Sequence, residues 1–455
     1  MTGLRDFLRA TAFGVGAACL AALTASAEVE RPNVVVILTD DQGTLDTHLY
    51  GATDLHTPNM DALAMRGVRF TQFYAASAIC SASRAALLTG RYPHRAGVPS
   101  NTESRPEVFG SGRGMPEDEV TLAAMFKAAG YRTGHFGKWH LGAKPGPNGF
   151  GFDESAGFLG GCIDKWSHFN YGGDEWGAPP QRHDWYRNGE HTYETGKHSG
   201  DLIARDAATF IEQNSENPFF IYAAFGSPHY PMQPYDKYME HYAELDEPRR
   251  AYAALVSTVD EQIGNILKAL ERSGQQDNTI VIFQSDHGHS TEARCNYGGG
   301  YAGPYRGAKS CLFEGGVRVP AIISWPGTLP ENAVRDQFAV ACDWLPTLAA
   351  LTNVDLPDRD LDGLNISSLI HEENAATPHS AWHWALGNQW AVRQGDWKLL
   401  GNARDTSNRK NITTYEEPYL VNLVEDPGER RNVAQEHPDI VKDLVAFHEN
   451  WLESL

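Results

Sequence analysis

Three carboxylates and one cysteine in this sequence have the types and settings for metal-assisted nucleophilic chemistry. Asp40-Asp41 follows an unbroken β-branched run over residues 34–38, and Asp286-His287 follows a second apolar run over 279–284. Three carboxylates brought together repel one another unless a cation sits among them, and their hard oxygens suit Ca²⁺ or Mg²⁺. Taken alone, Asp40-Asp41 serves equally well as a helix cap after a strand. The equivalent placement of Asp286-His287 favours the metal reading. Arg84, Lys138, His140, His229 and Lys309 supply the opposite charge, and such a set beside a metal suits a tetrahedral oxyanion, sulfate or phosphate. Singly, each has a bland reading as a structural His or a solvated Lys or Arg. Cys80 precedes Arg84 by one helical turn. At a helix N-terminus the dipole lowers a thiol pKa, so a thiolate nucleophile and an inert buried thiol both fit it.

A sheet must bring these residues together. In open α/β sheets, ligands bind beyond the carboxyl ends of the strands. Apolar runs at 34–38, 68–74, 131–136, 219–225, 279–284 and 319–325 read as strands. Between them lie helical stretches at 57–67, from about Ser83, at 119–129, 200–213, 249–272 and 344–351. This alternation predicts an α/β fold, a doubly wound, mostly parallel sheet flanked by helices. From about residue 375 the pattern changes to short strand-like runs at 381–386, 389–393, 397–400 and 419–423, then a helix over 438–452. That predicts a smaller antiparallel sheet packed by one helix. The first 27 residues carry Arg5 and Arg9, an apolar run over 10–22 and the small-residue site Ala25-Ser26-Ala27, the pattern of an export signal. The expected organisation is a signal peptide at 1–27, a catalytic domain at 28–374 and a C-terminal subdomain at 375–455. The mature chain is expected in the periplasm or secreted, with no membrane anchor, since no later run approaches the ~20 apolar residues of a span.

Longer patterns give the chemistry a family. Cys80-Ser81-Ala82-Ser83-Arg84 followed by Leu88-Thr89-Gly90-Arg91 resembles the signature of the type I sulfatases, in the alkaline phosphatase superfamily. The resemblance runs through Thr39-Asp40-Asp41, Thr57-Pro58-Asn59, Gly137-Lys138-Trp139-His140, Ser285-Asp286-His287-Gly288, Arg393 to Lys398, and Asp426-Pro427-Gly428-Glu429. The ordered set is most like the bacterial polysaccharide sulfatases. It implies that a maturation enzyme oxidises Cys80 to formylglycine. One hydroxyl of the hydrated aldehyde attacks sulfur to give a covalent sulfate ester, and the other later expels sulfate. It further implies that Asp40, Asp41, Asp286, His287 and the modified Cys80 bind Ca²⁺, and that Arg84 stabilises the hydrate. Lys138 and Lys309 would hold the sulfate, His229 would protonate the leaving alcohol, and His140 would handle the second hydroxyl. Two positions depart from the commonest pattern: Ala82 stands where Pro is usual, and His287 where many members have Asn. An imidazole is a poorer partner for Ca²⁺ than an amide oxygen.

The formal charge of −20, from 38 basic and 58 acidic residues, argues against nucleic acid as a partner. It also repels polyanions at long range, so any anion site must be a local cluster. The stretch 142–200, rich in Gly, Trp, Tyr, His and Asp, reads as functional loops. Trp166, His168, Tyr171, His289, Arg294, Asn296 and Tyr301 are expected at the active edge, with Trp382, His383 and Trp390 reaching it from the tail. Together they favour a sulfated carbohydrate over a small aryl sulfate. A phosphate or phosphonate ester hydrolase of the same superfamily is the alternative enzyme. A catalytically dead sugar-binding protein is the alternative outside enzymes, and the presence of Cys80, Arg84 and His229 counts against it. Cys162, Cys295, Cys311 and Cys342 could form two disulfides in an oxidising compartment or remain buried thiols.

Overall fold

A strand covered on both faces needs no polar side, and Asn33–Asp40 has all eight residues buried. In the computed structural model, which describes residues 31–102, 114–171 and 182–455, this strand is central to a ten-stranded sheet. The expected signal peptide lies outside the described residues. Asn33–Asp40 pairs in parallel with Phe219–Pro228 on one side and Thr279–Ser285 on the other. Arg132–Lys138 and then Glu154–Phe158 continue the parallel run. Ala321–Ser324 enters antiparallel between Thr279–Ser285 and Gly67–Phe70, so the sheet is mixed but mostly parallel.

Successive residues of the central strand feed opposite cores, because side chains alternate across a sheet. Val35 and Ile37 pack with Met60, Ile203 and Ile263 from the helices Pro58–Met65, Ser199–Gln213 and Arg249–Arg272. Val34, Val36 and Leu38 pack with Leu88, Phe126 and Leu348 from Cys80–Thr89, Leu122–Ala128 and Trp344–Thr352. The sheet is therefore wound on both faces, as the alternation predicted. Asp260, midway along Arg249–Arg272, accepts the Asn59 and Met60 amides at 3.1 and 2.8 Å. It caps the helix Pro58–Met65 from outside, which is the use of the Thr57-Pro58-Asn59 motif.

One expected strand is divided. Residues 68–74 form Gly67–Phe70 in the large sheet and Phe73–Tyr74 in a separate pair with Ala339–Val340. The division falls at Thr71, whose carbonyl accepts Arg318 Nε at 2.7 Å instead of continuing the ladder.

The C-terminal sheet is antiparallel, in the order Trp382–Leu386, Gln389–Gln394, Trp397–Gly401, Tyr419–Asn422. The helix Pro438–Glu453 covers one face through Leu444 against Val392, Leu399 and Leu420. The other face meets Tyr74, Phe313 and Phe338 of the large-sheet layer. A buried ionic network pins that junction. Lys398 Nζ lies 2.8 Å from Glu314 Oε1 and 3.0 Å from Glu429 Oε1. Tyr74 donates its hydroxyl to Glu314 at 2.6 Å and accepts Arg393 at 2.6 Å. Arg393, Lys398 and Glu429 come from the two C-terminal motifs. Among the described residues no helix is long and apolar enough to cross a membrane.

Candidate active site

Four adjacent strands deliver the polar residues to one edge. Asp40 ends Asn33–Asp40, Lys138 ends Arg132–Lys138, His229 follows Phe219–Pro228, and Asp286 follows Thr279–Ser285. The register places Asp40 beside Pro228 and Thr39 beside Ser285, so the four ends are level. Cys80 arrives from above as the first residue of the helix Cys80–Thr89, earlier than the start near Ser83 that the sequence suggested. All ten residues of this helix are buried, which fixes Cys80 rigidly against the sheet edge.

The donor atoms converge. Cys80 Sγ lies 3.7 Å from Asp40 Oδ1 and 3.3 Å from His287 Nε2. His287 Nε2 also faces Asp286 Oδ1 at 3.5 Å and Asp41 Oδ1 at 3.6 Å. One ligand atom each from Asp40, Cys80, Asp286 and His287 fall within 4.8 Å of one another, and Asp40, Asp41, Cys80 and His229 form an overlapping group. A donor set dominated by carboxylate oxygens fits a hard divalent cation. The Gly288 carbonyl, 3.0 Å from His287 Nδ1, orients the ring so that Nε2 faces the cluster. Asp41 and His140 reach their positions through left-handed backbone, φ 64 and 54°.

Cations close round this group. Lys138 Nζ binds Asp40 Oδ2 at 2.7 Å, and Lys309 Nζ binds both Asp41 oxygens at 2.8 and 3.0 Å. Arg84 donates to Asp286 Oδ2 at 2.9 Å and to the Lys138 carbonyl at 3.2 Å. Burial works against ionised Asp40, but Lys138, His229 and Arg84 outweigh it and hold its pKa well below the usual range. Burial wins at Asp41 and Asp286, which rise to about 7 and 6. The Cys80 thiol is pulled down by Lys138 and Lys309 despite its burial. His287 rises to about 9, since Asp286 and Cys80 overcome the burial that opposes its charge. Burial and then Lys309 keep His229 well below its usual value.

The family model described as Sulfatase matches residues 32–354. The chain is 33% identical to arylsulfatase A of Homo sapiens over 479 residues, spanning 95% of this chain and 90% of that protein. It is 33% identical to N-acetylgalactosamine-6-sulfatase of Homo sapiens, over 89% of this chain and 82% of that protein. This chain belongs to the sulfatase family. It is a sulfuric ester hydrolase of the alkaline phosphatase superfamily. Among solved structures it is similar to Ps i-CgsB in complex with k-i-k-neocarrahexaose, with TM-score 0.81, 30% identity and 92% of each chain covered. It is also similar to the PsFucS1 sulfatase from Pseudoalteromonas sp., with TM-score 0.76, 25% identity, and 93% and 90% of the two chains covered.

Around the sulfatase cluster, the residues expected to contact substrate divide. Trp166, Tyr171 and Tyr301 are 40, 36 and 48% exposed, and Arg294 lies 4.3 Å over the Tyr230 ring. Asn296 is exposed in left-handed backbone. His168 does not belong with them: it is fully buried, its Nε2 is 2.9 Å from the Lys197 carbonyl, and its ring packs on Trp185. His289 is buried against Gly300, and its carbonyl accepts the Lys309 amide at 2.8 Å; it supports Lys309 from behind. The tail aromatics are corrected too. Trp382 stacks near Tyr92, His383 lies parallel to Trp451, and Trp390 lies on His448. All three are used in packing the C-terminal sheet. No disulfide joins the described cysteines; Cys295, Cys311 and Cys342 are buried thiols, and Cys162 donates to the Tyr171 carbonyl at 2.9 Å.

Three residues at the site escaped the sequence reading. Tyr230 donates to Glu292 Oε2 at 3.1 Å, and Glu292 lies 3.8 Å from Lys309. The Lys165 ammonium is buried and donates to the Gly226 carbonyl, just before His229; burial lowers it to about 8. Tyr230 adjoins His229 in sequence and could have been found that way. Glu292 and Lys165 sit in aperiodic segments of an acidic chain and carry no such signal.

Proposed function

We propose that this sulfatase removes sulfate esters from a sulfated carbohydrate outside the cytoplasm, with Cys80 matured to formylglycine beside one Ca²⁺. The observation that carries the reading is the convergence of Asp40, Cys80, Asp286 and His287, with Lys138 and Lys309 held against it. Support for a carbohydrate comes from the N-acetylgalactosamine-6-sulfatase relative, the saccharide complex among the similar structures, and the exposed Trp166, Tyr171 and Tyr301. The sequence signal at residues 1–27 supports export.

Asp40, Asp41, Asp286 and His287 would hold the cation, whose charge suits the sulfate oxygens. Hydrated, the matured Cys80 supplies a nucleophilic oxygen and a neighbouring hydroxyl that frees the enzyme without water attacking sulfur. Arg84 orients Asp286 and keeps positive charge beneath the nucleophile. Lys138 and Lys309 offset the negative charge of the sulfuryl group as it transfers. The Tyr230 carbonyl fixes His229 Nδ1 at 2.8 Å, so Nε2 is the atom available to the leaving oxygen. The negative charge of the ester between His229 and Lys309 favours protonated imidazole there, which lets it donate. His140, its Nδ1 buried without a hydrogen-bond partner among the described residues, would take the proton of the second hydroxyl.

Mass analysis of the peptide spanning Cys80, from protein co-produced with a formylglycine-generating enzyme, tests the maturation. Loss of sulfur in exchange for an aldehyde is the expected result, and an unmodified thiol in fully active protein overturns it. Sulfated oligosaccharides, a matched phosphate ester and an aryl sulfate test the substrate. Turnover of the aryl ester alone would remove the carbohydrate.

A further inference from the structure

The rim of the site gathers further cations beside Lys309. Glu292 is the carboxylate at its centre. Arg294 lies 3.4 Å from Glu292 Oε1, and Lys309, already committed to Asp41, lies 3.8 Å from Oε2. A third cation comes from the C-terminal part of the chain. The short strands Arg404–Asp405 and Thr413–Thr414 pair, and the turn between them is tied to the segment that carries Lys309. Thr406 Oγ1 donates to the Ala308 and Lys309 carbonyls at 3.0 and 2.9 Å, and the Thr406 carbonyl accepts Thr291 Oγ1 at 2.7 Å. This turn delivers Arg409, whose Nη2 donates at 3.1 Å to Oγ of Ser310, the residue next to Lys309. Arg409 Nε is buried and donates to nothing among the described residues. Against the burial of Glu292, the charges of Lys309, Arg294 and Arg409 together pull its carboxyl down to about 2. Glu292 thus pairs with Arg294 and Lys309, and Arg409 stands on the residue next to Lys309. In a chain of net charge −20, such a local gathering of cations among the described residues serves an anion that the global field would repel.

We infer that Arg409, with Arg294, forms a subsite for a second anionic substituent of the saccharide, a sulfate or a carboxylate, beside the sulfate that is removed. The inference rests on the carbohydrate reading above and narrows it to polyanionic sugars. Arginine suits the task because its planar fork binds either oxyanion in two contacts.

The test compares Arg409→Ala with the wild type on three saccharides: one monosulfated and otherwise neutral, one disulfated, and one monosulfated with a uronate. Charge-assisted contacts of this kind predict a loss of roughly tenfold to a hundredfold in kcat/KM on the substrates with a second anion, mainly through KM. The neutral substrate should change by about twofold or less. The disulfated and uronate arms tell which anion the subsite takes. Arg409→Lys should recover part of the loss. Calorimetric binding of the disulfated saccharide to Cys80→Ala, with and without Arg409→Ala, should give the same ranking without turnover. An equal loss on all three substrates would mean that Arg409 merely steadies Ser310 and Lys309, and would overturn the inference. So would no loss on any. Failure of the wild type on every saccharide, with aryl sulfate still cleaved, would end the carbohydrate reading as well, and is visible without any variant.

Discussion

The strand-end cluster around Asp40, Asp41 and Asp286 and the junction cluster around Glu314 and Glu429 both bury carboxylates among cations. Their spacing differs. At the junction, Lys398 sits 2.8 and 3.0 Å from its two carboxylates, the Glu429 side chain accepts the Glu314 amide at 2.5 Å, and Tyr74 bridges Glu314 to Arg393. Each contact there ends on another atom of the chain at hydrogen-bond length. At the strand ends, the atoms of Asp40, Asp41, Cys80, Asp286 and His287 approach one another at 3.3 to 3.7 Å. Atoms that converge at this spacing are close enough to share one hard divalent ion. After Lys138, Lys309 and Arg84 have taken their bonds, the strand-end atoms still converge at a spacing that suits a common ion, whereas the junction converges on the ammonium of Lys398. Burial and charge alone do not separate a reactive site from a structural one. The spacing of the donor atoms does.

The comparison breaks most visibly at Cys80. Cys80→Ala should cost about 10⁴- to 10⁶-fold in kcat for sulfate release, as expected when a nucleophile is removed. The melting temperature of the variant should stay within a few degrees of wild type, because the side chain is small and the helix Cys80–Thr89 is buried along its whole length. Unfolding of the variant would show instead that Cys80 is structural. Chelation comes next. Removing the divalent ion should lower activity by roughly 10²- to 10³-fold. It should also lower the melting temperature, with Ca²⁺ restoring both, since an ion held at a hundred times its Kd adds about 2.7 kcal/mol to the folded state. Indifference of both activity and melting to chelator and Ca²⁺ would contradict the metal reading.

How much of this was legible in the sequence follows from the same physics. Continuous apolar runs located Asn33–Asp40, Phe219–Pro228 and Thr279–Ser285, and the polar residues just after them became the site, because a buried strand can only turn polar where it leaves the sheet. The tail was legible as strands, but the fate of its aromatics was not. Alternation marks two faces of a strand without telling what covers each. Here the large-sheet layer covers one face and the helix Pro438–Glu453 the other, so Trp382 and His383 are buried. His168 was misplaced because its segment, although aperiodic, builds a small packed centre with Trp185. Arg409 was missed because the strands that present it, Arg404–Asp405 and Thr413–Thr414, have two residues each, too short to show a period.

The junction cluster gives the converse of the Cys80 result. Lys398→Met removes the charge shared by Glu314 and Glu429 and should destabilise the fold by about 3–5 kcal/mol, the cost of leaving buried carboxylates unpaired. Activity per folded molecule should change by about threefold or less. Urea unfolding beside an assay at low temperature separates the two. A large fall in kcat with unchanged stability would show that the junction transmits to the site.

A subtler change at the same place sharpens the contrast through pH. Glu429 rises to about 7, because burial and the neighbouring Glu314 outweigh the pull of Lys398. Glu314 falls to about 2, because Lys398, Arg318 and Arg393 overcome its burial. The folded protein thus binds the Glu429 proton more tightly than the unfolded chain does. The stability this group contributes is complete below about pH 4.5 and disappears as the pH rises through about 7. Glu314 acts in the opposite sense, but its contribution is lost only as the pH falls from about 4.5 toward 2, outside this window. Asp41 and Asp286, at about 7 and 6, titrate in the same range as Glu429, so the measurement must be a difference in saturating Ca²⁺. Between pH 5 and 8, Glu429→Gln should gain roughly 1–3 kcal/mol relative to wild type, visible as converging urea midpoints. Parallel pH profiles would place the proton elsewhere in the network and would leave Glu429 ionised beside Lys398, as closed a pair as Lys398 and Glu314.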